Sequence, residues 1–222
     1  MTFTPTFAGI RRAVLAGLIV TIALAMGAPA AFAASKPETK LSQVEFNKAM
    51  RKLWEDHITW TRLYIISAAG NLPDKDATAQ RLLQNQADIG NAIAPFYGDA
   101  AGAKLTALLK DHILGAASLI EAAKSGDKTK IGDASAKWYA NADDIAAFLS
   151  GANPKQWPLA DMKAGMKMHL DLTLAEATDR LQGNYPAGIK EYDKIHAHIL
   201  GLADLLSNGI IQQFPGKFEK GK

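Results

Sequence analysis

From Ser42 onward, apolar residues recur at spacings of three and four, in long blocks punctuated by Gly, Asn and Pro. That period is the signature of amphipathic helices, and strict alternation of apolar and polar residues never persists. Ser42 and Glu45 form a candidate capping box for a first helix that runs to about Ala69 and is closed by Gly70-Asn71. A second helix is predicted from about Asp76 to Phe96, ending near Pro95 and Gly98. A third covers about Asp99 to Lys124, with Gly126 in the C-terminal position. The fourth spans about Thr129 to Ser150, stopped by Gly151 and Asn153-Pro154. Pro158 suits the first turn of a fifth, which ends at Gly183-Asn184, and Pro186 opens a sixth that reaches about Gln213. The fold class read from this pattern is all-α. Short links make successive helices antiparallel, so the expected architecture is an up-and-down bundle of about six helices.

The helices pair into three hairpins with matching wording. His57-Ile58, His112-Ile113 and His169-Leu170 open them, and Asn85, Asn141 and His198 follow 28, 29 and 29 residues later. In the first two hairpins an Asp stands three residues further on, at Asp88 and Asp144, whereas the third has Gly201 there. The run 145–150 also aligns without gaps on 202–207. A repeat of this length reads as one supersecondary unit that must stack on its copies to bury its apolar face.

Ahead of the domain, Arg11-Arg12, the apolar run from Ala13 to Met26 and the Ala31-Phe32-Ala33 sequence fit a signal peptide over 1–33, of Sec type rather than twin-arginine. Residues 34–41 are expected to be a disordered lead-in, 42–215 a single helical domain, and 216–222 a flexible tail. The expected location is periplasmic or secreted, with no membrane span once the leader is cleaved. The apolar run is shorter than the ~20 residues a spanning helix needs. The formal net charge of +3 falls to +1 once Arg11 and Arg12 are set aside, and no Lys/Arg cluster occurs, which argues against a nucleic-acid partner. The chain has no cysteine, so neither disulfides nor thiolate metal sites stabilise it.

Chemistry is concentrated on the repeat. His57 shares a helical face with Trp54, Thr61 and Tyr64, His112 with Leu105, Leu109 and Ala116, and His169 with Met162, Met166, Thr173 and Glu176. All three imidazoles should therefore face the bundle interior. The candidate site comprises His57, His112, His169, His198, Asp88 and Asp144, supported by Asn85, Asn141 and Glu176. Imidazole and carboxylate are the ligands of divalent transition metals, and helical bundles host such ions between facing helices. The same residues also suit a polar core in which each His donates to an Asn or Asp. No Glu-x-x-His pair, EF-hand loop, phosphate-cradling glycine loop or Gly-x-Ser-x-Gly elbow is present. Arg62 and Arg81 are expected to pair with carboxylates on neighbouring helices, and the tryptophans and Met162 and Met166 to act as packing residues.

The motifs Leu53-Trp54-Glu55-Asp56-His57 through Arg62, Arg81-Leu82-Leu83-Gln84-Asn85 through Gly90, Trp138-Tyr139-Ala140-Asn141-Ala142-Asp143-Asp144-Ile145, and Gly209-Ile210-Ile211-Gln212-Gln213-Phe214-Pro215 together resemble a bacterial family of small helical proteins without an established function. The resemblance covers about residues 50–218. Enzyme names such as glycosyltransferase attach to some members of that family, and no sugar-nucleotide motif here supports them. The resemblance implies that His57, Asp88, His112, Asn141, Asp144, His169 and His198 belong to the shared pattern, and names no ligand. Three readings stay open at this point. The chain could bind a metal ion or small polar ligand in its core, serve as a non-catalytic envelope or interaction protein with a structural polar core, or act as a metal-dependent enzyme at the same cluster.

Overall fold

The computed structural model describes residues 40–219, and the segments expected to be a signal peptide and most of the lead-in lie outside them. Six helices follow one another: α1 (Gln43–Gly70), α2 (Lys75–Tyr97), α3 (Asp99–Ser125), α4 (Lys128–Ala152), α5 (Leu159–Leu181) and α6 (Tyr185–Gln213). The fold is all-α, and no described helix is long and apolar enough to cross a membrane. Each helix packs on its neighbours in sequence, and α6 returns to α1, closing a ring. Links of one to six residues leave each helix no course but back along its predecessor. Inside the ring α1 also touches α3 and α5.

The seam between α1 and α6 is polar: Arg51 pairs with Asp204 at 2.5 Å, His196 Nε2 with Glu55 at 2.9 Å, and Thr59 meets the Tyr192 hydroxyl at 3.4 Å. Arg62 and Arg81 meet carboxylates as expected, Arg62 on Glu176 of α5 and Arg81 on Asp56 of α1 at 3.8 Å.

Two glycine positions are dictated by geometry. Gly98 alone connects α2 to α3, at φ 89° and ψ 160°, a region open essentially to glycine. Just beyond it, Gly90 and Gly102 face each other so closely that a Cβ on Gly102 would lie 2.7 Å from the Gly90 carbonyl oxygen. The α2/α3 crossing is thus backbone against backbone.

Both ends of the domain differ from the sequence expectation. Leu41, assigned to the disordered lead-in, makes a parallel bridge with Phe218: its N–H donates to Lys217 O and its carbonyl accepts from Glu219 N, both at 2.9 Å. Phe218, assigned to a flexible tail, is 1% exposed and lies against Phe46 and Phe96 with ring centroids 5.3 and 5.6 Å away. One aromatic residue beyond Pro215 offered too little apolar surface in sequence to signal this, yet burying it ties the two ends of the described domain together. At Ser42 only half of the capping box forms. The hydroxyl accepts from Glu45 N at 3.4 Å, while the Glu45 carboxylate turns to Lys48.

The apolar interior has two parts. The larger contains Met50, Trp54, Ile89, Leu109, Ile145, Leu170 and Ile199; the smaller gathers Tyr64, Ile65, Ala68, Leu82, Ile113, Ile120 and Ala177 around the later turns of α1, α3 and α5. The histidines sit where these two parts meet.

A histidine centre on the bundle axis

His57 on α1, His112 on α3 and His169 on α5 come from the three helices that meet inside the ring, and they are 2%, 3% and 4% exposed. Their ring centroids form a triangle: 6.4 Å between His57 and His112, 5.7 Å between His57 and His169, and 6.0 Å between His112 and His169. His198 on α6 extends the group, stacked on His169 at 6.1 Å. Trp54 meets His57 edge-on at 5.7 Å and Trp138 stacks on His112 at 5.4 Å. The four histidines named from sequence are therefore brought together.

The return helices anchor this centre by one contact made in each hairpin. Asn85 Nδ2 donates to Leu53 O at 3.0 Å, Asn141 Nδ2 to Leu108 O at 3.1 Å, and His198 Nε2 to Gly165 O at 3.1 Å. Each carbonyl belongs to the residue four before the leading histidine, one helical turn away. The Asn141 amide orientation follows from its Leu108 bond, so its Oδ1 accepts and His112 Nδ1, 3.1 Å away, is the donor. His112 is thereby held as the Nδ1–H tautomer. Asn85 has no such imidazole partner; its Oδ1 accepts from Gln86 Nε2 at 3.1 Å.

The two carboxylates expected in the site are not part of it. Asp144 is exposed, and Asp88 is half-buried and takes a hydrogen bond from Gln84 at 3.0 Å. Three residues turn a helix by 300°, so an Asp three beyond an inward Asn swings toward the rim, where solvent relieves the large cost of burying an unpaired charge. Glu176 does enter the interior, seven residues beyond His169, but its partner is Arg62 rather than an imidazole. Burial outweighs that guanidinium and pushes the Glu176 carboxyl up to about 7.

Sequence reasoning passed over Gln86, which is fully buried beside His57. The signal was its place in the repeat, since the other hairpins put Ala142 and Ile199 there.

Burial is also the main influence on the imidazoles. It lowers His57 to about 3, with the positive charge that His112 would carry adding to the effect and Gln86 opposing it. It lowers His112 to about 4 against the Asn141 bond, holds His169 well below its usual value with help from the other three rings, and lowers His198 against the Gly165 bond. At neutral pH the centre is a set of uncharged rings. Several polar atoms here lack a protein partner although they are buried: His57 Nδ1, His169 Nδ1, Gln86 Oε1, Trp54 Nε1 and Trp138 Nε1. Among the described residues, no group of three or more His, Asp or Glu is arranged to hold a metal ion.

No protein-family model, no curated protein and no solved structure matches this chain. The site is read from its own geometry.

That geometry separates Asn141 from Asp144. Asn141→Ala is expected to destabilise the fold by about 2 kcal/mol, because it strands His112 Nδ1 and removes the bond to the Leu108 carbonyl that ties α4 to α3. Asp144→Ala, on the exposed face, should stay within about 0.5 kcal/mol. Urea unfolding of the two variants measures both; equal effects would return Asp144 to the centre.

Proposed function

We propose that this is an exported, non-catalytic binding protein that takes a small uncharged polar molecule into its histidine centre. The observation that carries this reading is the set of buried, unpartnered polar atoms on His57, His169, Gln86, Trp54 and Trp138. Each such atom costs ~1–3 kcal/mol when nothing satisfies it; His57 and Gln86 relieve each other in part, which leaves His169 Nδ1 and the two indole N–H groups with no counterpart at all. The atoms include obligatory donors, the two indole N–H groups, and an obligatory acceptor, Gln86 Oε1. A molecule with both donor and acceptor groups can satisfy that mixture, whereas a cation draws only on lone pairs. The imidazoles of His57, His112 and His169 are almost wholly removed from solvent, which favours retention of a ligand over turnover of a substrate.

A divalent transition metal is the second reading. It is favoured by three neutral imidazoles within 6.4 Å of one another, and disfavoured because the two carboxylates expected to complete the ligand set lie outside the centre.

Native mass spectrometry and elemental analysis of untagged protein, purified from the periplasm of the organism that makes it, test the proposal. The expected result is a stoichiometric organic adduct that a His112→Ala, His169→Ala double variant loses. A stoichiometric metal would replace the first reading by the second. Protein free of both, with the double variant markedly less stable than the wild type, would make the histidines a structural polar core and overturn both.

A further inference from the structure

An apolar cavity of about 40 Å³, lined by no histidine but by Trp138 and by Thr61 and Thr173 one turn beyond His57 and His169, runs along the later turns of α3 and α5. These two helices are not neighbours in the ring, and the space between them is floored by α1. At its inner end the cavity is bounded by Trp138, Thr61 and Thr173. Trp138 is the indole stacked on His112, with its N–H buried and unpartnered. Thr61 and Thr173 donate their hydroxyls to the His57 and His169 carbonyls, at 2.7 and 2.8 Å, which leaves them only as acceptors toward the cavity. Ala116 and Ala177 supply the room along the walls, and the outer end reaches the exposed Thr178. Such walls offer water almost nothing to bond, and apolar cavities of this kind stay dry.

We propose that the ligand is amphipathic, with an uncharged hydrogen-bonding head at the histidine centre and a short apolar tail lying in the α3/α5 cavity. The proposal rests on the reading of the centre as a ligand site and adds the class of molecule and its direction. The head is uncharged because every group at the centre is uncharged and a buried ion would lack a counter-charge. One water-sized group occupies roughly 10–15 Å³ on this measure, so the tail is about three or four carbons long. Trp138 belongs to both halves: it stacks on His112, its N–H is buried without a partner, and it lines the cavity. The exposed Thr178 marks the end from which the molecule enters.

Straight-chain primary amides from propionamide to octanamide serve as probes, with binding measured by calorimetry at pH 7.5. In the wild-type protein, affinity is expected to rise about fourfold per added methylene and then level off once the tail passes about four carbons. Ala116→Leu and Ala177→Leu, each of which fills the cavity, should abolish that rise; circular dichroism melting identifies which of the two is folded and is to be used. His169→Gln should weaken every amide by a similar factor, up to about tenfold, and leave the chain-length dependence intact. Affinity independent of chain length, or a rise that survives cavity filling, overturns the tail site, and an organic adduct in the native protein would then leave the centre standing alone. A chain-length rise with no effect of His169→Gln overturns the placement of the head, and with it the reading of the centre.

Discussion

Lowering the pH from 6.5 to 5 is expected to remove about 3 kcal/mol of stability from this bundle, a large part of the 5–15 kcal/mol typical of a folded domain. The cause is the histidine centre. His57 and His112 titrate at about 3 and about 4 in the folded protein, and His169 well below its ordinary 6.5, because burial penalises their charged forms. Between pH 6.5 and about 5 these rings gain protons mainly by unfolding, so the unfolded state binds more protons and stability falls as pH falls. Because an unfolded imidazole is only half protonated at pH 6.5, the slope builds up over this interval, and three such rings give about 5 kcal/mol across it. Glu176 works in the opposite direction. Its folded value of about 7 lies above its ordinary 4.5, so the penalty for burying its charge is complete above pH 7 and fades toward pH 4.5. It returns about 2 kcal/mol over the same interval, and the imidazoles prevail by number. Urea titrations at pH 7.5, 6.5, 5.5 and 5 measure the curve. Glu176→Gln should steepen it, and a His57→Gln, His112→Gln, His169→Gln variant should flatten it. A wild-type stability that does not change between pH 6.5 and 5 would mean that the rings are not buried in neutral form.

The second large effect lies at the α2/α3 crossing. Gly90→Ala is expected to destabilise the fold by about 3 kcal/mol, at the upper end of what overpacking costs, with Gly102→Ala close behind. A Cβ on Gly90 would stand 2.0 Å from Thr106 Oγ1 and 2.5 Å from the Gly102 carbonyl oxygen. The hydroxyl can rotate away, but the carbonyl belongs to a helix backbone and cannot. Relief therefore requires α2 and α3 to separate, and Gly98 holds their ends together as a one-residue link. Thermal unfolding of Gly90→Ala beside Gly132→Ala, whose Cβ would meet nothing within 4 Å, isolates the close approach from ordinary helix propensity. If both alanines leave the melting temperature unchanged or raise it, the crossing is not backbone-limited.

Much of this protein is written in its local pattern. The period of three to four and the Gly, Asn and Pro stops set six helices whose bounds agree with the structure to within a few residues, because helix formation and capping are decided by near neighbours in the chain. The same pattern turned His57, His112 and His169 inward, since a face shared with leucines and tryptophans is buried whatever packs against it. What it could not decide was how neighbouring positions on one turn divide between core and rim. Asn85 and Asp88 look equivalent at a spacing of three, yet the amide reaches the Leu53 carbonyl of the opposite helix while the carboxylate stays at the surface. That division depends on the distance and direction of a partner helix some thirty residues away. The stacking of four imidazoles, the unpartnered Gln86 and Trp138 atoms, the apolar cavity between α3 and α5, and the burial of Phe218 are likewise products of the closed ring. They arise only when helices distant in sequence press on one another, because burial of a polar or aromatic group is a property of what surrounds it.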